Sequence, residues 1–495
     1  MSKNISRVCG VLFFLHMALT SNAQELDVTI KIVSTAPARV QVEGKRTTAA
    51  AAWSFRNIYG SVSGLGARIE NLRLSDETGS EVSVRQLAPG EFEAARPATR
   101  FSYGLKLDPP AFVTDAAHVS WLTGDHGLLM LGDVLPLPVS KASVRLTLPP
   151  GWGALSTDEK NSAGVFELSE AADAVFIIGR NLRERRGRVG GMSFTLAMAG
   201  DWAFTDGEAA DSINELLKDY EKIFGGPPRQ RVLIALAPPP RSAPASFWSA
   251  ETRGGTVTLL SGRMPTKLTA TAQLGGALGH ELLHLWVPNA LALEGNYDWF
   301  YEGFTNYLAL RAGVRRGQLT FQDYLNALGR AFDSYKSARG TRELSLADAS
   351  QRRWSDGTSL VYSKGMLVAF LYDLTLLTRS RGKSSLEDAY AELFRRHRSG
   401  MKREDGNRAV VNVLSGPQGM SDFTSLYVQG AAEINLAASV EPFGLQIVSG
   451  GVRTHLAIVA SPSDAQRDLL RKLGYNDKLD AEARRLREQM KKRLP

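Results

Sequence analysis

Gly279-His280-Glu281-Leu282-Leu283-His284-Leu285-Trp286 is the stretch on which the reading of this chain turns. It lies in a helical pattern closed by Pro288, a residue that cannot continue a helix. On a helix, residues four apart share one face, about 6 Å from one another. His280 and His284 can therefore grip one Zn²⁺. Glu281 lies one residue on, beside the metal rather than on it. There a carboxylate can take the proton of an attacking water and hand it to a leaving group. Two histidines four apart also occur as ordinary helix residues, so the motif needs a third ligand to carry weight. Trp299-Phe300-Tyr301-Glu302-Gly303-Phe304-Thr305-Asn306-Tyr307 offers a candidate, Glu302, 18 residues after His284, which taken alone reads equally as an exposed helix-start carboxylate. Three protein ligands leave one position open, as a catalytic zinc site requires.

Composition narrows the rest. The chain has 495 residues, enough for two to four domains. Apolar residues make up 43% and charged residues 22%, which excludes a disordered chain and a multi-span membrane protein. The only cysteine is Cys9, so an internal disulfide framework, a cysteine-based zinc site and a Cys-ligated iron–sulfur cluster are all excluded. Lys3 and Arg7, an apolar run from Val8 to Thr20, and Ser21-Asn22-Ala23 read as a cleavable export signal over residues 1–23. An uncleaved anchor is the rival reading, disfavoured by the short run. Export to an oxidising compartment, periplasmic or extracellular, suits a mature chain without cysteine.

The formal net charge is +8. Basic residues such as Arg467, Arg471, Lys472, Arg484 and Arg485 gather near the C-terminus, interleaved with Asp468, Asp480 and Glu482. This reads as a solvated basic helical tail over 449–495, suited to no more than weak contact with an anionic surface. No nucleic-acid motif is present, and no nucleic-acid partner is expected.

Residues 25–180 alternate apolar and polar, as in Leu26–Val33 and Phe101–Leu107, with turn residues between. Short strands at this spacing predict an N-terminal β-sandwich. His118 and His126 stand alone there and read as structural. The polar, glycine-rich run Asn181–Gly191 marks the domain boundary. A helix over Ala209–Phe224 and strands over Arg231–Ala237 and Thr256–Leu260 follow, and from Thr269 the chain is mainly helical, with helix starts at Thr320 and Ser385. Gly276 is expected beneath His280, letting a strand approach the helix. Asn306 stands where it could steady His280. His397 is expected on a solvated helix face, and His455 has no partner pattern.

The His-Glu-x-x-His block followed by Trp-x-x-Glu-Gly-Phe-x-x-Tyr resembles the gluzincin metallopeptidases. It is most similar to the glycyl aminopeptidase family, metallopeptidase family sixty-one, a relative of aminopeptidase N. Val361-Tyr362-Ser363-Lys364-Gly365 resembles that family's Tyr-x-Lys-Gly block. The resemblance implies an α+β multidomain chain, with the β-sandwich leading into a mainly helical, thermolysin-like catalytic domain over 190–448 that holds a small mixed sheet. It implies Zn²⁺ as cofactor, a peptide or protein substrate, and a role for Tyr362 in stabilising the oxyanion.

Two departures stand out. Family members carry a glutamate in a Gly-Gly-x-Glu-His segment that binds the substrate's free amine. Here the matching run is Gly254-Gly255-Thr256-Val257-Thr258, with Gly254 and Gly255 left to line the substrate's path and valine where the glutamate should be. Glu251 is a substitute by proximity. No PDZ domain is expected, because too few residues follow Val448. Aminopeptidase and endopeptidase activity both stay open. A catalytically silent peptide-binding protein on the same fold and a hydrolase of a non-peptide bond are the rivals.

Overall fold

The computed structural model describes residues 25–338, 343–448 and 453–476. The expected export signal and most of the expected basic tail lie outside the described residues.

The layering follows from two strands that are apolar on both faces. In His126–Met130, Leu129 points into one core while Leu128 and Met130 point into another. In Val175–Arg180, Phe176 and Ile178 face the first core, and Val175 and Ile177 the second. Alternation sends successive side chains to opposite faces, so a strand apolar at every position must be covered twice. These strands belong to a four-stranded sheet. One of its faces closes a sandwich with an eight-stranded sheet, whose main strands include Glu25–Thr35, Ala38–Ser54 and Glu91–Lys106. The other face packs on a five-stranded mixed sheet that begins the catalytic half.

The run that marked the domain boundary is itself structured. Arg183–Val189 forms an edge strand paired antiparallel with Met192–Met198. Its charged sequence, Arg-Glu-Arg-Arg, suits an edge, where exposed charge discourages further pairing. Arg231–Ala237 and Thr256–Ser261 lie parallel in the interior, and Trp248–Arg253 closes the far edge antiparallel to Thr256–Ser261.

The other face of this sheet shares one apolar core with a set of helices. They include α1 (Asp206–Phe224), α2 (Lys267–Glu281), α3 (Thr305–Arg315), α4 (Phe321–Ser337), α5 (Leu346–Gln351), α6 (Gly365–Arg379) and α7 (Leu386–His397). Thr320 and Ser385 cap α4 and α7 in reciprocal hydrogen-bonded boxes, as their sequences predicted. Leu360–Arg379 is long and apolar enough to cross a membrane, but 83% of its most apolar 18-residue window is buried inside the protein. It is the core helix of the domain.

The expected boundary at 448/449 falls within a hairpin, for Leu445–Val448 pairs with His455–Ile458. The following helix, Asp464–Lys472, docks on the catalytic half: Arg311 Nη2 donates to the Lys472 carbonyl at 3.1 Å. His397 is buried rather than solvated, and its carbonyl accepts from the Ala292 amide at 2.6 Å. Its solvated-face expectation is thus corrected by the packing of the α7 C-terminus.

Candidate metal centre and active-site cavity

Helix α2 starts at the Thr266 cap and runs to Glu281, and a tighter turn, Leu283–Leu285, carries His284. The Tyr220 hydroxyl of α1 donates to the Gly279 carbonyl. A Cβ on Gly279 would sit 3.8 Å from Ala309 of α3, in ordinary contact, so this side of the helix faces α3. Gly276 does not lie beneath His280 against a strand. Its missing side chain faces open space, because the helix packs through the Gly279 side instead.

Three ligand atoms converge. His280 Nε2 lies 2.9 Å from His284 Nε2 and 3.2 Å from Glu302 Oε2. His284 Nε2 lies 3.6 Å from the same oxygen. A tetrahedral zinc about 2.0–2.1 Å from each ligand would set them about 3.3 Å apart, so this triangle fits the ion. His284 Nδ1 donates to the Val287 carbonyl at 3.0 Å, leaving its Nε2 lone pair for a metal. His280 Nδ1 is buried without a hydrogen-bond partner. Asn306 lines the same cavity, but no hydrogen bond links it to His280 among the described residues. Glu281 also lies within 4.8 Å of the two histidines. Its Oε2, however, accepts from Thr252 Oγ1 at 2.9 Å, so Glu302 completes the triangle and Glu281 stands beside it.

Glu302 and Tyr362 each ride on a widened, π-helical turn, Trp299–Phe304 leading into α3 and Leu360–Lys364 leading into α6. Such turns recur at functional sites because they re-aim side chains without ending the helix. The two turns cross at glycines. A Cβ on Gly303 would lie 2.4 Å from the Val361 carbonyl oxygen and 2.7 Å from the Gly365 Cα. Neither contact is tolerable, which explains the glycines after Glu302 and Lys364.

Charge is balanced within the site. Burial alone would raise the Glu302 carboxyl and lower the His284 imidazole. Their mutual attraction wins, aided at Glu302 by His280 and Arg353. Glu302 is held well below the usual carboxylate range, and His284 is pushed up to about 9. Arg353 Nη2 lies 2.7 Å from Glu302 Oε1 and donates to the Tyr362 hydroxyl at 2.9 Å. Burial and the nearby Glu302 charge raise the Tyr362 phenol far above its ordinary value, so it stays protonated and able to donate.

These residues line a cavity of about 690 Å³ whose opposite wall is the edge strand Trp248–Arg253. Thr252 Oγ1 lies 2.9 Å from both the main-chain oxygen and Oε2 of Glu281, tying strand to helix. Next to it, Glu251 accepts from the Tyr59 hydroxyl and from His118 Nδ1, each at 2.6 Å. Both donors come from the N-terminal half. Desolvation pushes the Glu251 carboxyl up, but His118, Arg253 and Tyr59 outweigh it and hold it ionised. His118 is therefore a cavity residue, not an isolated one. His126 is structural, its Nε2 facing the Pro238 carbonyl at 3.2 Å. Gly254 and Gly255 form the turn after the edge strand. Gly254 has φ +54°, and its Cβ position faces Asp173 of the sandwich at 3.2 Å. They do not line the cavity, which corrects their expected place on the substrate's path. The residues of this edge that do so are Trp248–Thr252.

Residues 273–368 match the family model of the M61 glycyl aminopeptidases. The segment is thus that of a zinc-dependent peptidase, with Zn²⁺ as its metal. The M61 match spans both histidines, Glu302, Arg353 and Tyr362. No curated protein sequence matches the chain. Among solved structures, an aminopeptidase N family protein from Idiomarina loihiensis is similar with a TM-score of 0.73 and 17% identity, over 86% of this chain and 79% of that one. An M1 zinc metallopeptidase from Deinococcus radiodurans is similar with a TM-score of 0.52 and 16% identity, over 84% of this chain and 95% of its own. A variant of that enzyme, bound to a Tyr-Ser-Ala substrate, gives a TM-score of 0.51 at 16% identity, with 84% and 95% covered. At these identities the likeness establishes a shared fold.

Sequence reasoning missed Thr252, Tyr59 and Arg353. Thr252 was within reach, had Trp248–Arg253 been read as a strand beside Thr256–Ser261. Arg353 sits in the polar run Ser350-Gln-Arg-Arg-Trp-Ser-Asp-Gly357 and carries no signal of its own.

Proposed function

We propose that the chain is an exported zinc aminopeptidase, in which His280, His284 and Glu302 hold the metal. The observation that carries the exopeptidase reading is the ionised Glu251 on the cavity wall, one residue from the threonine that touches Glu281. A carboxylate held on two sides still has lone pairs for a substrate ammonium. Glu251 thus takes the place expected of the missing family glutamate. When bound, zinc polarises the scissile carbonyl and makes water nucleophilic near neutral pH. Thr252 holds Glu281 Oε2, which leaves Oε1 to accept the water's proton and pass it to the departing amine. The Tyr362 hydroxyl donates to the carbonyl oxygen as it gains charge. The leader-like residues 1–23 support export, and the single cysteine falls within them.

The test compares one peptide with a free and with an acetylated N-terminus. An amine-anchored aminopeptidase cleaves the free form, and Glu251→Gln lowers its kcat/KM with the zinc retained. Equal cleavage of the acetylated form would favour the endopeptidase reading. Zinc binding without cleavage of any member of a broad peptide library would favour a silent binding protein.

A further inference from the structure

We propose that Arg353 is a positioning residue that couples the metal ligand Glu302 to the oxyanion donor Tyr362, so that one guanidinium sets both. The inference rests on the proposed hydrolytic reading of this site. Arg353 Nη2 reaches Glu302 Oε1 at 2.7 Å and the Tyr362 hydroxyl at 2.9 Å. Its Nη1 is anchored to Asp298 Oδ1 at 2.8 Å and to the Tyr301 hydroxyl at 3.2 Å. Asp298 lies on the turn just before Glu302, so the arginine holds that turn at two points. The Trp354 ring covers the guanidinium at 4.4 Å, and the Arg353 side chain is only 14% exposed.

The geometry gives the fork two jobs. Toward Glu302, it fixes the oxygen that does not face the histidines and so aims Oε2 at them. Partners that orient a ligating carboxylate in this way contribute to metal affinity. Toward Tyr362, a positive donor at the phenolic oxygen fixes the hydroxyl's place. It occupies an oxygen lone pair, so the phenolic proton is free to point into the cavity. It also makes that proton a stronger donor to a developing negative charge. A lysine has a single point of attachment and cannot serve both partners and Asp298 at once.

The test uses the full chain and four proteins: wild type, Arg353→Gln, Tyr362→Phe and the double variant. With zinc saturating, Arg353→Gln and Tyr362→Phe should each lower kcat by about 100–1,000-fold, the range for losing one oxyanion contact, with little change in KM. The double variant should be no slower than Tyr362→Phe by more than about threefold, because residues acting as a unit are non-additive. Zinc affinity, measured by chelator competition without substrate, should fall about 10–100-fold in Arg353→Gln and stay at the wild-type level in Tyr362→Phe. Additive kcat losses in the double variant, or wild-type zinc affinity in Arg353→Gln, would overturn the proposal. Should Arg353→Gln fail to fold by circular dichroism, Arg353→Lys carries the same two readings. A wild-type protein that binds zinc yet hydrolyses nothing would contradict the hydrolytic reading, and the zinc measurement would then judge the Glu302 half of the coupling.

Discussion

A carboxylate that accepts and releases a proton in every turnover needs one oxygen held and the other free. In the proposed mechanism Glu281 is that carboxylate, and Thr252, on a different element, donates to its Oε2 at 2.9 Å. Thr252→Val should therefore lower kcat by about 10–100-fold, the worth of one hydrogen bond to a charged group of about 1.5–3 kcal/mol. Thr252→Ser should keep most of it, and steady-state kinetics of the pair reads the difference. The proposed metal ligands make a second prediction. Attraction to Glu302 raises His284 to about 9, so the metal-free site holds a proton at neutral pH. Zinc must displace that proton. Its apparent affinity should weaken about tenfold for each pH unit lowered below 9 and level off above it. Titration calorimetry in buffers of different ionisation enthalpy should count about one proton released per zinc near pH 7.5. An affinity that stays constant from about pH 6 to 9 would refute this charge balance.

At the scale of elements, the site depends on where two π-helical turns cross. Glu302 and Tyr362 are brought together because Gly303 and Gly365 let the backbones touch. Gly303→Ala should destabilise the protein by about 1–3 kcal/mol, as overpacking does. That corresponds to a Tm lower by about 2–10 °C in scanning calorimetry. Activity should fall as well, since the clash moves both side chains. An unchanged Tm would show that the crossing has slack. The same crossing shows what was legible beforehand. His280 and His284 were readable because they stand at a fixed helical spacing, Glu302 because its block follows 18 residues on, and Tyr362 only through the resemblance of its block to a known family. The edge strand Trp248–Arg253 was not. Its sequence, Trp-Ser-Ala-Glu-Thr-Arg, has no sustained apolar alternation, because one side faces a polar cavity. With that strand unseen, Gly254 and Gly255 were credited with lining the substrate's path, although they are the turn that follows it. The charged strand Arg183–Val189 escaped for the related reason that an edge need not look apolar.

On the scale of the whole molecule, the N-terminal half reaches the cavity that the metal-site residues line. Its four-stranded sheet shares an apolar layer with the catalytic sheet: Trp121, Leu128, Met130 and Ile177 meet Leu233, Ala235 and Leu260. Tyr59 and His118 reach across to hold Glu251. Nothing in one strand's sequence says which sheet will cover its second face, so this stacking was visible only in three dimensions. A shared core predicts that both halves unfold in one cooperative transition. Two separated calorimetric peaks would refute it. The central claim remains the division of labour between three ligands and one base. Its most direct test is Glu281→Gln, assayed for zinc content and peptide hydrolysis together. The account predicts one zinc per chain, as in the wild type, with kcat lower by at least about 100-fold, the scale of a lost general base. Hydrolysis at the wild-type rate by the zinc-loaded variant would contradict it.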